Sequence, residues 1–311
     1  MSLTDFPRTP LLRMPEPVEG HIMWVKDESA CPTGTFKDRL GWALARQVVG
    51  SPIQDLLITC ITLGNTLISV AHFLNSVDES IRPQVLGLLP NGFSQRVLGP
   101  DTAGCQCTGA DVVRACQAKG AMTVEVDLES AYLSESDIRE IGKKCVPSAT
   151  ESRDISYGIG EDAYASILQE ALDDLPAIPS VVLVSVGAGI LFDECVRVVE
   201  ERRLPTVVVG VSVTEPSSVA DKIYGYYSPY FADLCTQGRA FHSRFPRHPV
   251  LRVEDRDVLS ALQFTKMVGQ NAEPSSVAAL VPILRKQIEM PSGDVLWINT
   301  GNGVIPRCDL P

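Results

Sequence analysis

The chain has 311 residues, 45% apolar and 21% charged, with 27 basic against 38 acidic side chains and a net charge of −11. That composition excludes a disordered chain, and the acidic balance argues against a nucleic-acid partner. No run of about 18 apolar residues is present to span a membrane, and residues 1–10 lack the apolar core of a secretion signal.

In chain order, residues 21–25 read as a strand and 38–48 as a helix with Leu40, Ala43, Leu44 and Val48 on one face. A buried strand at 56–61 is followed by a helix at 66–77, striped by Leu67, Val70, Ala71 and Leu74. A strand at 85–89, a helix at 111–119 stopped by Gly120 and a strand at 122–126 come next. Helices are expected at 137–144 and 161–172, separated by a stretch at 147–159 where Pro, Ser, Thr and Gly cluster without periodicity. That stretch reads as a domain boundary. The strand at 181–186, the helix at 191–202 and the strand at 207–211 complete a further repeat of the pattern. An irregular aromatic segment, 224–249, reads as a loop or cap. Helices at 257–268 and 275–287 precede a last strand at 295–298. Apolar strands alternating with helices indicate an α/β fold with mainly parallel sheets flanked by helices.

Nine cysteines without a CxxC pair read as reduced thiols in a cytoplasmic protein, mostly buried as small hydrophobes. Cys105 and Cys107 lack further ligands at metal-site spacing, so no metal is expected.

In parallel sheets, ligands bind where strands end and helices begin. Four such turns carry unusual residues. Residues 27–39, DESACPTGTFKDR, put Lys37 in the first turn of a helix, where the macrodipole disfavours a cation and burial lowers an amine pKa. Lys37 is then either a nucleophile or a solvated lysine paired with Asp38 or Glu28. Residues 62–66, TLGNT, with Asn65 as a helix N-cap, either hold a carboxylate on free backbone N–H groups or simply cap the helix. Residues 185–191, SVGAGIL, run from a strand through small residues into a helix, an arrangement that cradles phosphate but lacks dinucleotide or P-loop spacing. Thr300 in NTGNG, 299–303, offers a hydroxyl at a strand end. An amine, a carboxylate cradle, a phosphate cradle and a hydroxyl are together what a Schiff-base pyridoxal phosphate needs.

At these residues the chain resembles the fold-type II pyridoxal-phosphate enzymes, the superfamily of tryptophan synthase β-subunit, cysteine synthase and threonine synthase. The segments VKDESACPTGTFKDR, TLGNT, AEPSSVAAL (272–280) and TGNG occur in family order, and the first resembles threonine synthase most. The resemblance implies two domains, a smaller one at 32–146 and a larger one formed by 1–31 with 147–311, and an active site in the cleft between them. It implies that Lys37 carries the cofactor as a Schiff base and moves the α-proton. It implies that Asn65 meets the cofactor's phenolic oxygen, that Gly187, Ala188, Gly189 and Ile190 hold its phosphate, and that Thr300 meets its ring nitrogen. The loop of Thr62, Leu63, Gly64 and Thr66 would grip the substrate carboxylate. A neutral hydroxyl at the ring nitrogen favours elimination at Cβ or Cγ. The implied reaction is a threonine synthase-like elimination or replacement on a small amino acid by a cytoplasmic homodimer. Cysteine synthase-like β-replacement, serine or threonine dehydration, and a non-catalytic binding subunit are the alternatives.

Leu63 stands where the family has Ser, Leu67 where it has Gly or Ala, and Ile190 interrupts the glycine run. The two leucines are expected to add bulk near the carboxylate grip. Arg239, His242, Arg244, Arg247 and His248 form a basic cluster that either attracts an anionic substrate or is a solvated loop. Tyr224, Tyr226, Tyr227 and Tyr230 accompany it as a lid or an oligomer contact. His72 reads as packing or surface, and Glu273 is expected near the cofactor.

Overall fold

The computed structural model describes residues 6–15, 18–98, 108–128, 133–156, 161–215, 217–224, 241–289 and 291–303. Among the described residues ten strands form two sheets. The larger has six strands in the order β1-β2-β10-β7-β8-β9: β1 (Leu11–Arg13), β2 (Met23–Asp27), β7 (Val181–Ser185), β8 (Val207–Val213), β9 (Val250–Val253) and β10 (Val295–Asn299). The smaller has four, β5-β4-β3-β6: β3 (Leu56–Ile61), β4 (Gln84–Pro90), β5 (Met122–Val126) and β6 (Glu151–Asp154). Every pairing is parallel except β1 with β2. The central strands are buried on both faces, which is why they read as unbroken apolar runs.

The helices are α1 (Lys37–Gly50), α2 (Asn65–Leu74), α3 (Gly109–Ala118), α4 (Glu135–Cys145), α5 (Glu161–Asp174), α6 (Ile190–Glu201), α7 (Asp255–Met267), α8 (Pro274–Val277) and α9 (Val281–Leu284). One apolar cluster joins α1, α2, α5 and α6 to the facing sides of both sheets, running from Leu40 and Phe73 to Phe192 and Leu296. A second cluster, around Val209 and Trp297, fills the other face of the large sheet; a third, around Leu57 and Leu88, fills that of the small one.

Three short strands, β1, β6 and β9, escape a pattern reading because three or four residues give too little periodicity. β6 lies inside the stretch read as a structureless boundary and pairs with β3 in the small sheet. The helix expected at 275–287 is broken into α8, a 3-10 turn at Ala278–Leu280 and α9, with Pro282 in the first turn of α9.

Three members of the basic cluster, His242, Arg247 and His248, bond carboxylates of α6. His242 bonds Asp193 through Nδ1 at 2.7 Å, and His248 Nε2 and Arg247 both meet Glu200. Arg239, Tyr226, Tyr227, Tyr230, Cys105 and Cys107 lie outside the described residues. Cys31, Cys60, Cys116 and Cys195 are buried, and Cys145 is exposed. His72 packs edge-on against Phe73. Among the described residues no helix is long and apolar enough to cross a membrane, and no His/Cys/Asp/Glu group is placed to hold a metal.

Candidate active site

The carboxyl ends of β3, β7 and β10 and the amino ends of α1, α2 and α6 converge on one cavity of about 950 Å³, its opening included. Its wall contains Lys37, Thr62, Leu63, Asn65, Thr66, Gly187, Ala188, Gly189, Ile190 and Thr300. Of the residues expected to bind the cofactor or the substrate carboxylate, Gly64 is the one absent from that wall.

The motifs farthest apart in the chain interlock to build the floor. Phe36 N–H donates to the Thr300 carbonyl at 3.0 Å, and Asn302 N–H donates to Gly34 at 3.1 Å. Gly301 has φ +145°, and a Cβ there would lie 2.5 Å from the Gly34 carbonyl, so glycine is what permits this approach.

Lys37 is the first residue of α1. Its Nζ lies 4.5 Å from the Phe36 ring centroid and 5.3 Å from that of Tyr164. Both carboxylates that could have neutralised it are taken. Asp38 accepts from the N–H and hydroxyl of Thr33, and Glu28 is held by Arg39 through Nε at 2.7 Å and Nη2 at 2.9 Å. The Lys37 ammonium therefore has no ion pair among the described residues. Burial lowers its pKa from 10.5 to about 8, with a nearby Cys60 thiol opposing. Arg39 also bonds Glu170, which Lys26 bonds in turn at 2.7 Å, so the buried charges below the site balance one another.

Asn65 does not cap α2. Gly64, at φ +116°, occupies the N-cap, and Thr62 Oγ1 accepts the Gly64 N–H at 2.9 Å. A Cβ on Gly64 would stand 2.3 Å from Val112 Cγ1. The Asn65 side chain instead crosses the cleft. Its Nδ2 donates to Glu273 at 3.2 Å, and its Oδ1 accepts from Lys222 Nζ at 3.2 Å. Leu63 faces the cavity. Leu67 does not crowd it: the side chain is fully buried, and its methyl group occupies the space where a Cβ on Gly87 would stand, 2.5 Å away.

Gly187, Ala188 and Gly189 lead into α6, with Gly189 at φ +86° as its N-cap. Among the described residues their N–H groups donate to nothing. A Cβ on Gly187 would press on the Lys222 carbonyl at 3.0 Å. Thr300 is 5% exposed; its N–H donates to Ser276 Oγ at 2.9 Å, and its hydroxyl has no partner among the described residues.

Lys222, Tyr164 and Ser156 also line the cavity and were missed from the sequence; Tyr224, read there as part of a lid or an oligomer contact, lines it too. Lys222 had a usable signal, because it follows β8 in a turn at the carboxyl end of the sheet. Asp221 beside it is pushed up to about 6, chiefly by burial.

The cavity fits pyridoxal phosphate on its own features. Unsatisfied N–H groups at a helix start suit a phosphate, an unpaired amine of lowered pKa suits an aldehyde, and an unpartnered hydroxyl suits a ring nitrogen. The comparisons agree. Among curated proteins none matches the sequence. The solved O-acetylserine dependent cystathionine beta-synthase from Helicobacter pylori superposes with a TM-score of 0.70 at 18% identity, over 99% of this chain and 97% of its own. A hydrogen sulfide-producing enzyme from Fusobacterium nucleatum gives 0.71 at 15% identity, over 97% of each chain. Serine racemase from Dictyostelium discoideum gives 0.68 at 14% identity, over 95% of this chain and 92% of its own. At these identities the likeness establishes a shared fold. The family model for pyridoxal-phosphate dependent enzymes matches residues 3–301, and the chain belongs to that family.

Proposed function

We propose that the protein catalyses a pyridoxal-phosphate dependent elimination, with or without replacement, at Cβ or Cγ of a small amino acid. The observation that carries this reading is the Lys37 amine, half-buried in the cavity wall, without a counter-ion among the described residues and with its pKa lowered to about 8. Such a group both attacks a carbonyl carbon and takes up a proton near neutral pH. Bound pyridoxal phosphate supplies an electron sink for negative charge at the substrate α-carbon.

The residues divide the remaining work. The N–H groups of Gly187, Ala188 and Gly189, with the start of α6 at Ile190, hold the phosphate. Thr300 offers a neutral hydroxyl to the ring nitrogen. The backbone from Thr62 through Leu63 and Gly64 to Thr66 binds the substrate carboxylate at the start of α2. Lys37 Nζ moves the α-proton. Leu63, Ile61 and Ile155 line the wall with apolar surface that limits the size of the substrate side chain.

Threonine synthase-like chemistry on phosphohomoserine is the first specific reading, from the TFKDR and TGNG forms. β-Replacement on an O-activated serine is the second, supported by the likeness to the O-acetylserine dependent enzyme. The same reading takes the protein to be a cytoplasmic homodimer. The test incubates the loaded enzyme with phosphohomoserine, O-acetylserine, serine and threonine while recording visible spectra and released phosphate, acetate and ammonia. One substrate giving product identifies the reaction. Absence of any product or spectral change, or borohydride labelling of a residue other than Lys37, would overturn the proposal.

A further inference from the structure

The cavity contains a second lysine, and its surroundings are the opposite of those of Lys37. Lys222 lies in the 3-10 turn Asp221–Ile223 that follows β8. Its Nζ forms an ion pair with Glu273 Oε2 and donates to Asn65 Oδ1. Glu273 is 5% exposed, and its other oxygen accepts from Asn65 Nδ2. Its backbone is also fixed, since the Glu273 N–H donates to the Gly301 carbonyl at 2.9 Å and its carbonyl caps α8. Ammonium, carboxylate and amide therefore form a closed triangle in which each group bonds the other two. Asn65 belongs to α2, beside the small sheet, whereas Lys222 and Glu273 follow strands and turns of the large one.

A side-chain amide has two orientations that differ only in which end donates. In this triangle the choice is forced: a flip would set the NH2 group against the ammonium and the oxygen against the carboxylate. With one Nδ2 hydrogen committed to Glu273, the second remains for one further acceptor. The pair is also electrically balanced, so it orients the amide without adding net charge beside Lys37. Its charged neighbours are Asp221 and, through Asp221, Arg96.

We propose that Lys222 and Glu273 are positioning residues whose ion pair fixes the Asn65 amide so that its second N–H points at the oxygen of the group bound on Lys37. The contacts to Glu273 and Asn65 occupy the Lys222 amine, which keeps it from competing for the cofactor aldehyde. This inference rests on the pyridoxal-phosphate reading of the site.

The test uses full-length protein loaded with pyridoxal phosphate and reads the visible absorption band and its pH midpoint, not turnover. The neutral replacement of the pair, Lys222→Met with Glu273→Gln, leaves no net charge, and it and Asn65→Ala each shift that midpoint in the same direction, by roughly one pH unit. All three substitutions together shift it no further than Asn65→Ala alone, because coupled residues are non-additive. Lys222→Arg keeps the charge and a donor and restores the midpoint to that of the unmodified protein. Glu273→Gln in addition lets borohydride trap part of the cofactor on Lys222. An unmoved midpoint in the Lys222→Met, Glu273→Gln variant, or additive shifts in the triple variant, overturns the proposal. If that variant fails to fold, Lys222→Gln with Glu273→Gln decides it by the same midpoint. Failure of the unmodified protein to form any band, or to be trapped at Lys37, counts instead against the cofactor reading, so the two failures are distinct.

Discussion

The reactivity of Lys37 follows from its surroundings closely enough to be calculated. Two effects oppose each other at Nζ. The rings of Phe36 and Tyr164 attract an ammonium, by about 0.5–2 kcal/mol for such contacts. Exclusion of water without a counter-ion favours the neutral amine, and the net fall from 10.5 to about 8 corresponds to about 3 kcal/mol at 1.36 kcal/mol per pH unit. Desolvation wins. About a tenth of the amines are then neutral at pH 7, against roughly one in 3,000 for a solvated lysine, so capture of an aldehyde should be about 300-fold faster. The assay mixes cofactor-free protein with pyridoxal phosphate at a series of pH values, traps the adduct with borohydride and maps it by peptide mass. The rate of Lys37 labelling should be half-maximal near pH 8. Phe36→Ala admits water to Nζ, and restored hydration should outweigh the lost ring attraction, moving the midpoint upward by roughly a unit. A midpoint near 10.5 in the unmodified protein, or a downward shift in Phe36→Ala, would refute the reasoning.

Other outcomes follow from the same geometry. Arg39→Met strands the fully buried Glu28 and weakens the hold on Glu170; denaturant unfolding should show a loss of about 3–5 kcal/mol, and a loss below about 1 kcal/mol would contradict the balanced-cluster account. Tyr164→Phe removes a buried hydroxyl that has no partner among the described residues, so stability should hold or rise by about 1–2 kcal/mol; a clear drop in Tm would contradict that reading. Gly64→Ala meets both a left-handed φ and Val112 Cγ1 at 2.3 Å; a loss of about 2 kcal/mol or more is expected, and Val112→Ala in the same chain should recover only the steric part. His248 accepts the Val208 N–H on Nδ1 at 2.9 Å, which places its proton on Nε2 toward Glu200. Burial lowers its pKa below 6.5, so the folded state binds fewer protons than the unfolded chain. Stability should therefore be full above about pH 6.5 and fall as pH drops toward the lowered value; a His248→Gln protein should lose that slope in urea titrations across this range.

The sequence alone was enough to place seven strands, because strands covered on both faces must be apolar throughout, and to single out Lys37, because a lysine opening a helix after a Pro-Thr-Gly turn is electrostatically unusual. It was also enough to bring the cradle at 187–189 and the hydroxyl of Thr300 into consideration, since strand-to-helix turns are where parallel sheets bind ligands. The short polar edge strand Glu151–Asp154 carried no such signal, and neither did the breaking of residues 275–287 into separate turns. What only the tertiary structure decided is the pairing of charges. Asp38 and Glu28 share a segment of the chain with Lys37 yet serve Thr33 and Arg39, leaving the amine bare. Asn65 has the composition of a cap yet reaches across the cleft to Lys222 and Glu273. Periodicity is a local property of the chain. Which charge meets which depends on the order of strands in two sheets, and that order brings together loops far apart in the sequence.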